Sequence, residues 1–127
     1  MLRNILPLFV LVTVVACGGG PPSAGGASRT GTITAAHIAG ISAISAYDVV
    51  EKLRRGWLVS RGPNSFSDPS PAYPKVYLDD IEAGELYFLR TIGVSDIVEI
   101  RFLSTTESSL HYGHGHFGGV IQVITRP

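Results

Sequence analysis

A single cysteine, Cys17, stands among 127 residues, so the chain can close no internal disulfide and build no thiolate cage for a metal. Neither charge sign is in excess, since ten basic residues meet ten acidic ones. Nucleic-acid binders carry surplus Lys and Arg to displace counterions from phosphate, and this chain has no such surplus. No apolar run is long enough to cross a bilayer: residues 5–15, interrupted by Pro7 and Thr13, fall well short of the ~20 residues a helical span needs. Ser104, Ser108 and Ser109 precede His111, but no strained nucleophile turn or base-orienting acid accompanies them. Neither catalysis nor a cofactor is expected. The length allows one domain.

The first thing present is a leader. Arg3 supplies a positive start, residues 5–15 an apolar stretch, and Val14-Val15-Ala16-Cys17 an ending that resembles the bacterial lipobox, with Val14 where Leu is commoner. The resemblance implies that residues 1–16 are a lipoprotein signal peptide. Cys17 then becomes the first mature residue, bearing thioether-linked diacylglycerol and an acyl chain such as palmitate on its amine. Each buried methylene stabilises such an anchor by about 0.8 kcal/mol, and two or more chains hold stably. Gly18 follows the cysteine instead of the Asp that retains lipoproteins in the inner membrane, which points to the outer membrane, periplasmic side. After the lipidated Cys17, the rest of residues 17–31 is Gly, Pro, Ser and Ala apart from Thr30 and Arg29, the only charge, a composition expected to form a flexible tether. The folded domain is expected over residues 32–127.

Within that domain, residues 32–34 read as extended, and Thr34 is placed to cap a short helical turn through His37 that Gly40 stops. His37 is expected to be a half-exposed helix residue. Ser45 with Asp48 three residues on is a capping pair. The helix it opens carries Val49, Val50, Leu53 and Trp57 on one stripe, with Asp48–Lys52 and Glu51–Arg55 paired opposite. Gly56 is expected to end it, and Trp57-Leu58-Val59 to continue as a strand. Lys52, Arg54, Arg55 and Arg61 read as a solvated basic face. Residues 61–74 hold Pro63, Pro69, Pro71 and Pro74 and form a loop. Residues 75–78 read as a strand, Asp79-Asp80 as a turn, and residues 85–91, with Leu86 and Leu89, as a short helix. Asp79, Asp80, Glu82 and Glu85 make a polar turn, without the burial that acid–base work would need.

The last third organises the rest. Val98, Ile100 and Phe102 alternate with Glu99 and Arg101, as in a strand with one buried face. Ser104 and Glu107 form a capping pair for a helix ending near Tyr112, because Gly113, Gly115, Gly118 and Gly119 follow. Residues 120–125 form a β-branched run interrupted by Gln122 and read as a buried strand. Gly113, Gly115 and Gly118 spell G-x-G-x-x-G, yet a dinucleotide site needs a strand before the glycines and a helix after, and here the order is reversed. These glycines are expected to permit positive φ and close backbone approach. The fold class is α+β: a small mixed β-sheet with short helices packed on it.

This ordering resembles the plug domain of TonB-dependent outer-membrane receptors. The likeness rests on Asp96-Ile97-Val98-Glu99-Ile100, on Tyr112-Gly113, and on Gly118-Gly119-Val120-Ile121-Gln122-Val123-Ile124-Thr125-Arg126. Upstream, Val76-Tyr77-Leu78-Asp79-Asp80 is similar to the family's apolar strand closed by Asp-Gly, with Asp80 where Gly is usual. A Lys-Gly-Pro often found after the acidic strand is Leu103-Ser104-Thr105 here. The resemblance implies a plug-like domain that works by protein–protein contact, with an outer-membrane barrel or an energy-transducing protein as partner. Plug loops reach the ligand side in full receptors, which makes Phe66 and Tyr73 candidate contacts. A barrel spends about ten residues on each strand, and those residues are not in this sequence, so transport by this chain itself is not expected.

A second reading comes from His111, His114 and His116. Three imidazoles within six residues could hold zinc or a similar borderline metal, with Glu107 one helical turn before His111 as the nearest further ligand. On that reading the chain is a small metal- or ligand-binding lipoprotein.

Overall fold

The computed structural model describes residues 31–127. The leader, Cys17 and all of the tether but Gly31 lie outside the described residues. The described chain is α+β. Strands β1 (Gly31–Thr34), β2 (Lys75–Leu78), β3 (Ile81–Gly84), β4 (Ile97–Leu103) and β5 (Val120–Thr125) form one mixed sheet, in the order β1-β4-β5-β2-β3. Helices α1 (Ala35–Ala39), α2 (Ala46–Arg54) and α3 (Thr105–Tyr112) and three short 3-10 segments complete it. Only β2 and β5 run parallel; the other neighbours are antiparallel.

Strand β5 sits centrally because its sequence has little to offer water. Val120, Ile121 and Val123 are fully buried. One sheet face presents Ile33, Val76, Ile100, Phe102, Ile121 and Val123 to a core shared with Ile38, Val49, Val50, Trp57, Leu89 and Ile92. The opposite face carries Tyr77 and Gln122 beneath α3.

The caps fall where hydroxyl–carboxylate spacing puts them. Ser45 Oγ accepts from the Asp48 amide at 3.3 Å, while Asp48 Oδ2 accepts from the Ser45 amide at 3.1 Å. Ser104 and Glu107 repeat the exchange at the start of α3. Losing the first cap through Ser45→Ala should cost about 1 kcal/mol, read as a lowered urea midpoint. An unchanged midpoint would mean that the cap contributes nothing. At α1 the cap is unusual: the exposed His37 turns its Nδ1 back to accept from the Thr34 amide at 3.1 Å.

Four expectations are corrected. Gly56 does not end the second helix. The chain continues through it as a 3-10 segment, Arg55–Leu58, so Trp57 and Leu58 are not strand. Tightening keeps Trp57 on the buried stripe begun by Val49 and Val50, which strand geometry would not do. Strand β3 was not expected after the Asp79-Asp80 turn. Those two residues have φ of 48° and 69°, and a two-residue turn with positive φ at both centres matches the twist of a β-hairpin, so Ile81 returns beside Leu78. Val98 is not on the inner face. A register break between Ile97 and Glu99 adds a residue opposite β5, so Ile97 and Ile100 are buried while Val98 is exposed. Last, Arg61 does not belong to a solvated basic face, because its guanidinium lies 4.1 Å from the Phe102 ring centroid. Lys52 binds the Ser42 carbonyl.

Candidate functional site

Polar side chains with long-range partners gather on the α3 side of the sheet. Tyr77 on β2 and Gln122 on β5 are register partners. The Tyr112 ring, from the end of α3, stacks on Tyr77 at 3.9 Å between centroids. Its hydroxyl donates to Asp80 Oδ1 at 2.7 Å, and Gln122 Nε2 donates to both the same carboxylate oxygen at 2.7 Å and the Tyr112 hydroxyl at 2.8 Å. Asp79, beside it, accepts from the Thr125 amide at 2.8 Å and from the Thr125 hydroxyl. The acidic turn therefore works as a clasp: two carboxylates close the β2–β3 hairpin onto the end of β5 and the end of α3.

His116 is the one histidine that the fold draws inward. It is 9 % exposed, with Nδ1 3.0 Å from the Gly113 carbonyl and Nε2 2.9 Å from the Tyr77 hydroxyl. A carbonyl only accepts, so Nδ1 carries the proton and Nε2 accepts from Tyr77. The three imidazoles are therefore not brought together here. His116 has no lone pair left for a ligand bond, and His111 and His114 are exposed. Glu107 is occupied in the α3 cap. Among the described residues no group of three or more His, Cys, Asp or Glu could hold a metal ion.

The electrostatics follow from the same contacts. Burial, then the bond to Asp80, pushes the Tyr112 phenol well above its ordinary value, so it serves as a hydrogen-bond donor and not as a base. Burial, followed by the Glu82 carboxylate, also raises Tyr77. The bonds from Tyr112 and then Gln122 hold Asp80 below the usual carboxylate range, and the Ser104 and Ile44 amides do the same for Glu107 and Asp48.

Stability should therefore be lost at both pH extremes. Lowered carboxylates contribute above their unfolded values, and that contribution disappears as pH falls below about 4. Raised phenols contribute below their unfolded value, and theirs disappears as pH climbs past about 10. Urea midpoints of Asp80→Asn across pH should vary less than the parent's on both limbs. An unaltered profile would remove Asp80 from the account.

Sequence reasoning missed this cluster, although one signal was available. Gln122 interrupts a β-branched run, and a polar side chain in a central strand must find partners.

The other expected contacts lie elsewhere. Phe66, in the 61–74 loop, is wholly exposed, and Tyr73 is about half exposed. Phe117, which sequence reasoning did not single out, lines an apolar groove with Phe66, Pro63, Asn64 and Ser65. A shallower groove lies beside Tyr73, Leu86 and Tyr87. The two sheet edges are β1 and β3. No family model, no curated protein and no solved structure matches this chain.

Proposed function

We propose that the chain is a membrane-anchored, freestanding plug-like domain that acts by protein–protein contact on the periplasmic side of the outer membrane. Cys17 carries the lipid, and the partner is an outer-membrane barrel or an energy-transducing protein. The observation that carries the reading is the β4–α3–glycine–β5 unit. The residues that resemble the plug family most make the antiparallel pair β4 and β5, the end of the helix between them and the glycines that lead into β5. The Asp79-Asp80 turn adds support, since positive φ at Asp80 is the conformation that the family's Asp-Gly would favour. The edge strand β3, with Ile81 and Glu82 exposed, offers backbone groups to which an extended partner segment can add. Self-pairing there would bring Glu82 toward its own copy, so charge repulsion opposes it.

The test is crosslinking from the β3 edge in intact envelopes, followed by solubilisation and pull-down. A photo-reactive residue at Ile81 should trap one reproducible envelope protein, and Glu82→Pro, which changes the edge backbone, should abolish that product. Absence of a reproducible product sinks the contact reading. Incorporation of labelled palmitate, lost in Cys17→Ala, tests the anchor separately.

A further inference from the structure

We propose that the end of the domain carrying Phe66 and Phe117 docks directly on the bilayer to which Cys17 is attached, with both rings in the acyl boundary. The inference rests on the lipid-anchor reading above and adds to it an orientation and a second contact. Phe66 is 112 % exposed, and Phe117 beside it is 49 % exposed. A wholly exposed ring is unfavourable in water, and here the loop holds it in place. The Asn64 amide donates to the Ser70 carbonyl at 3.0 Å and the Ser65 amide to the Asp68 carbonyl at 3.0 Å. Asn64 Nδ2 donates to Asp68 Oδ2 at 3.1 Å and to Ser70 Oγ at 2.8 Å, so this loop spends its polar groups on itself. Together with Pro63 the two rings border an apolar groove of about 330 Å³.

Topology brings this groove to the anchored end. Gly31 pairs with Phe102, Leu103 with Val120, and Val120 with Lys75. The start of β1, the 61–74 loop and the glycine-rich 113–119 loop therefore share one end of the sheet. Gly118 lies so close to Ala72 and Tyr73 that the two loops form one surface. Fourteen peptide steps link Cys17 to Gly31, a reach of about 50 Å at full extension, so this end can meet the membrane without turning the body over. Exposed apolar rings on the end nearest the anchor are what the headgroup–acyl boundary accommodates.

The experiment uses the processed full-length lipoprotein in vesicles of phosphatidylethanolamine and phosphatidylglycerol, with and without brominated acyl chains. Phe66→Trp is compared with Ile44→Trp, because Ile44 is exposed beside Val94 at the far end and the native Trp57 is buried. Emission from Phe66→Trp should shift to the blue and be quenched by brominated lipid, with Ile44→Trp unaffected. No quenching at position 66, or equal quenching at both positions, overturns the proposal and leaves the rings to a protein partner. Palmitate labelling separates the two readings. Label without quenching keeps the anchor and removes the docking surface. Quenching without label keeps the docking surface and removes the anchor.

Discussion

Gly119→Ala is expected to lose about 3 kcal/mol of stability, the sum of a left-handed backbone penalty of about 1–2 and an overpacking cost of about 1–3. Gly119 has φ of +83°, and a Cβ there would come within 2.6 Å of the Leu103 carbonyl oxygen and 2.7 Å of the Phe102 ring. The residue also joins the parallel pair, because its carbonyl accepts from the Lys75 amide at 3.1 Å. Gly118→Ala should cost a similar amount for a different reason. Its Cβ would lie 2.4 Å from the Tyr73 carbonyl carbon and oxygen, backbone atoms that no rotamer change can move aside. Gly115→Ala is the control: φ is +105°, but nothing lies within 4 Å, so only the backbone penalty of about 1–2 kcal/mol applies. Domains of this size are typically stable by about 5–15 kcal/mol, so the first two changes should pull the urea midpoint down sharply. Equal losses at all three glycines would show that the close approach is not what holds the loop.

Trp57→Ala should be comparably damaging, at about 3–5 kcal/mol. Trp57 is 1 % exposed, packs its ring 5.6 Å from that of Phe102, and faces Gly31 at the start of β1. It thus joins the 3-10 extension of α2 to β4 and β1, and truncation leaves a cavity at that junction. Trp57→Phe should cost less than half as much. The indole N–H has no hydrogen-bond partner among the described residues, so replacing the ring by a smaller one forfeits packing and no polar contact. Thermal or urea unfolding followed by circular dichroism checks both. A Phe variant as unstable as the Ala variant would show that the cost lies in the indole nitrogen after all.

Much of the local structure was legible because its causes are local. Ser45 with Asp48 and Ser104 with Glu107 announce helix starts through hydrogen bonds spanning three residues, and both helices begin there. The run at 120–125 has no solvent face to offer and becomes the central strand. What misled the reading was context. Gly56 carries a general tendency to end helices, but burying Trp57 was worth another turn. Asp80 has a side chain where positive φ favours glycine, so the hairpin and β3 were hidden, and the strain there is offset by bonds from Tyr112 and Gln122, 32 and 42 residues away. The candidate site was less legible still. Three histidines adjacent in sequence diverge, because Tyr77 draws one inward while the glycine loop leaves the others in solvent.

The sequence by itself determined the α+β class, the helix starts, the central strand and the positions where only glycine fits, since capping, β-branching and backbone sterics act within a few residues. Tertiary structure alone decided that the acidic turn clasps β5 and α3, that His116 is an internal hydrogen-bond partner, and that Phe66 and Phe117 share one end with the start of β1. Those outcomes depend on strand order and register, which bring together residues far apart in the chain and leave no mark on the local pattern.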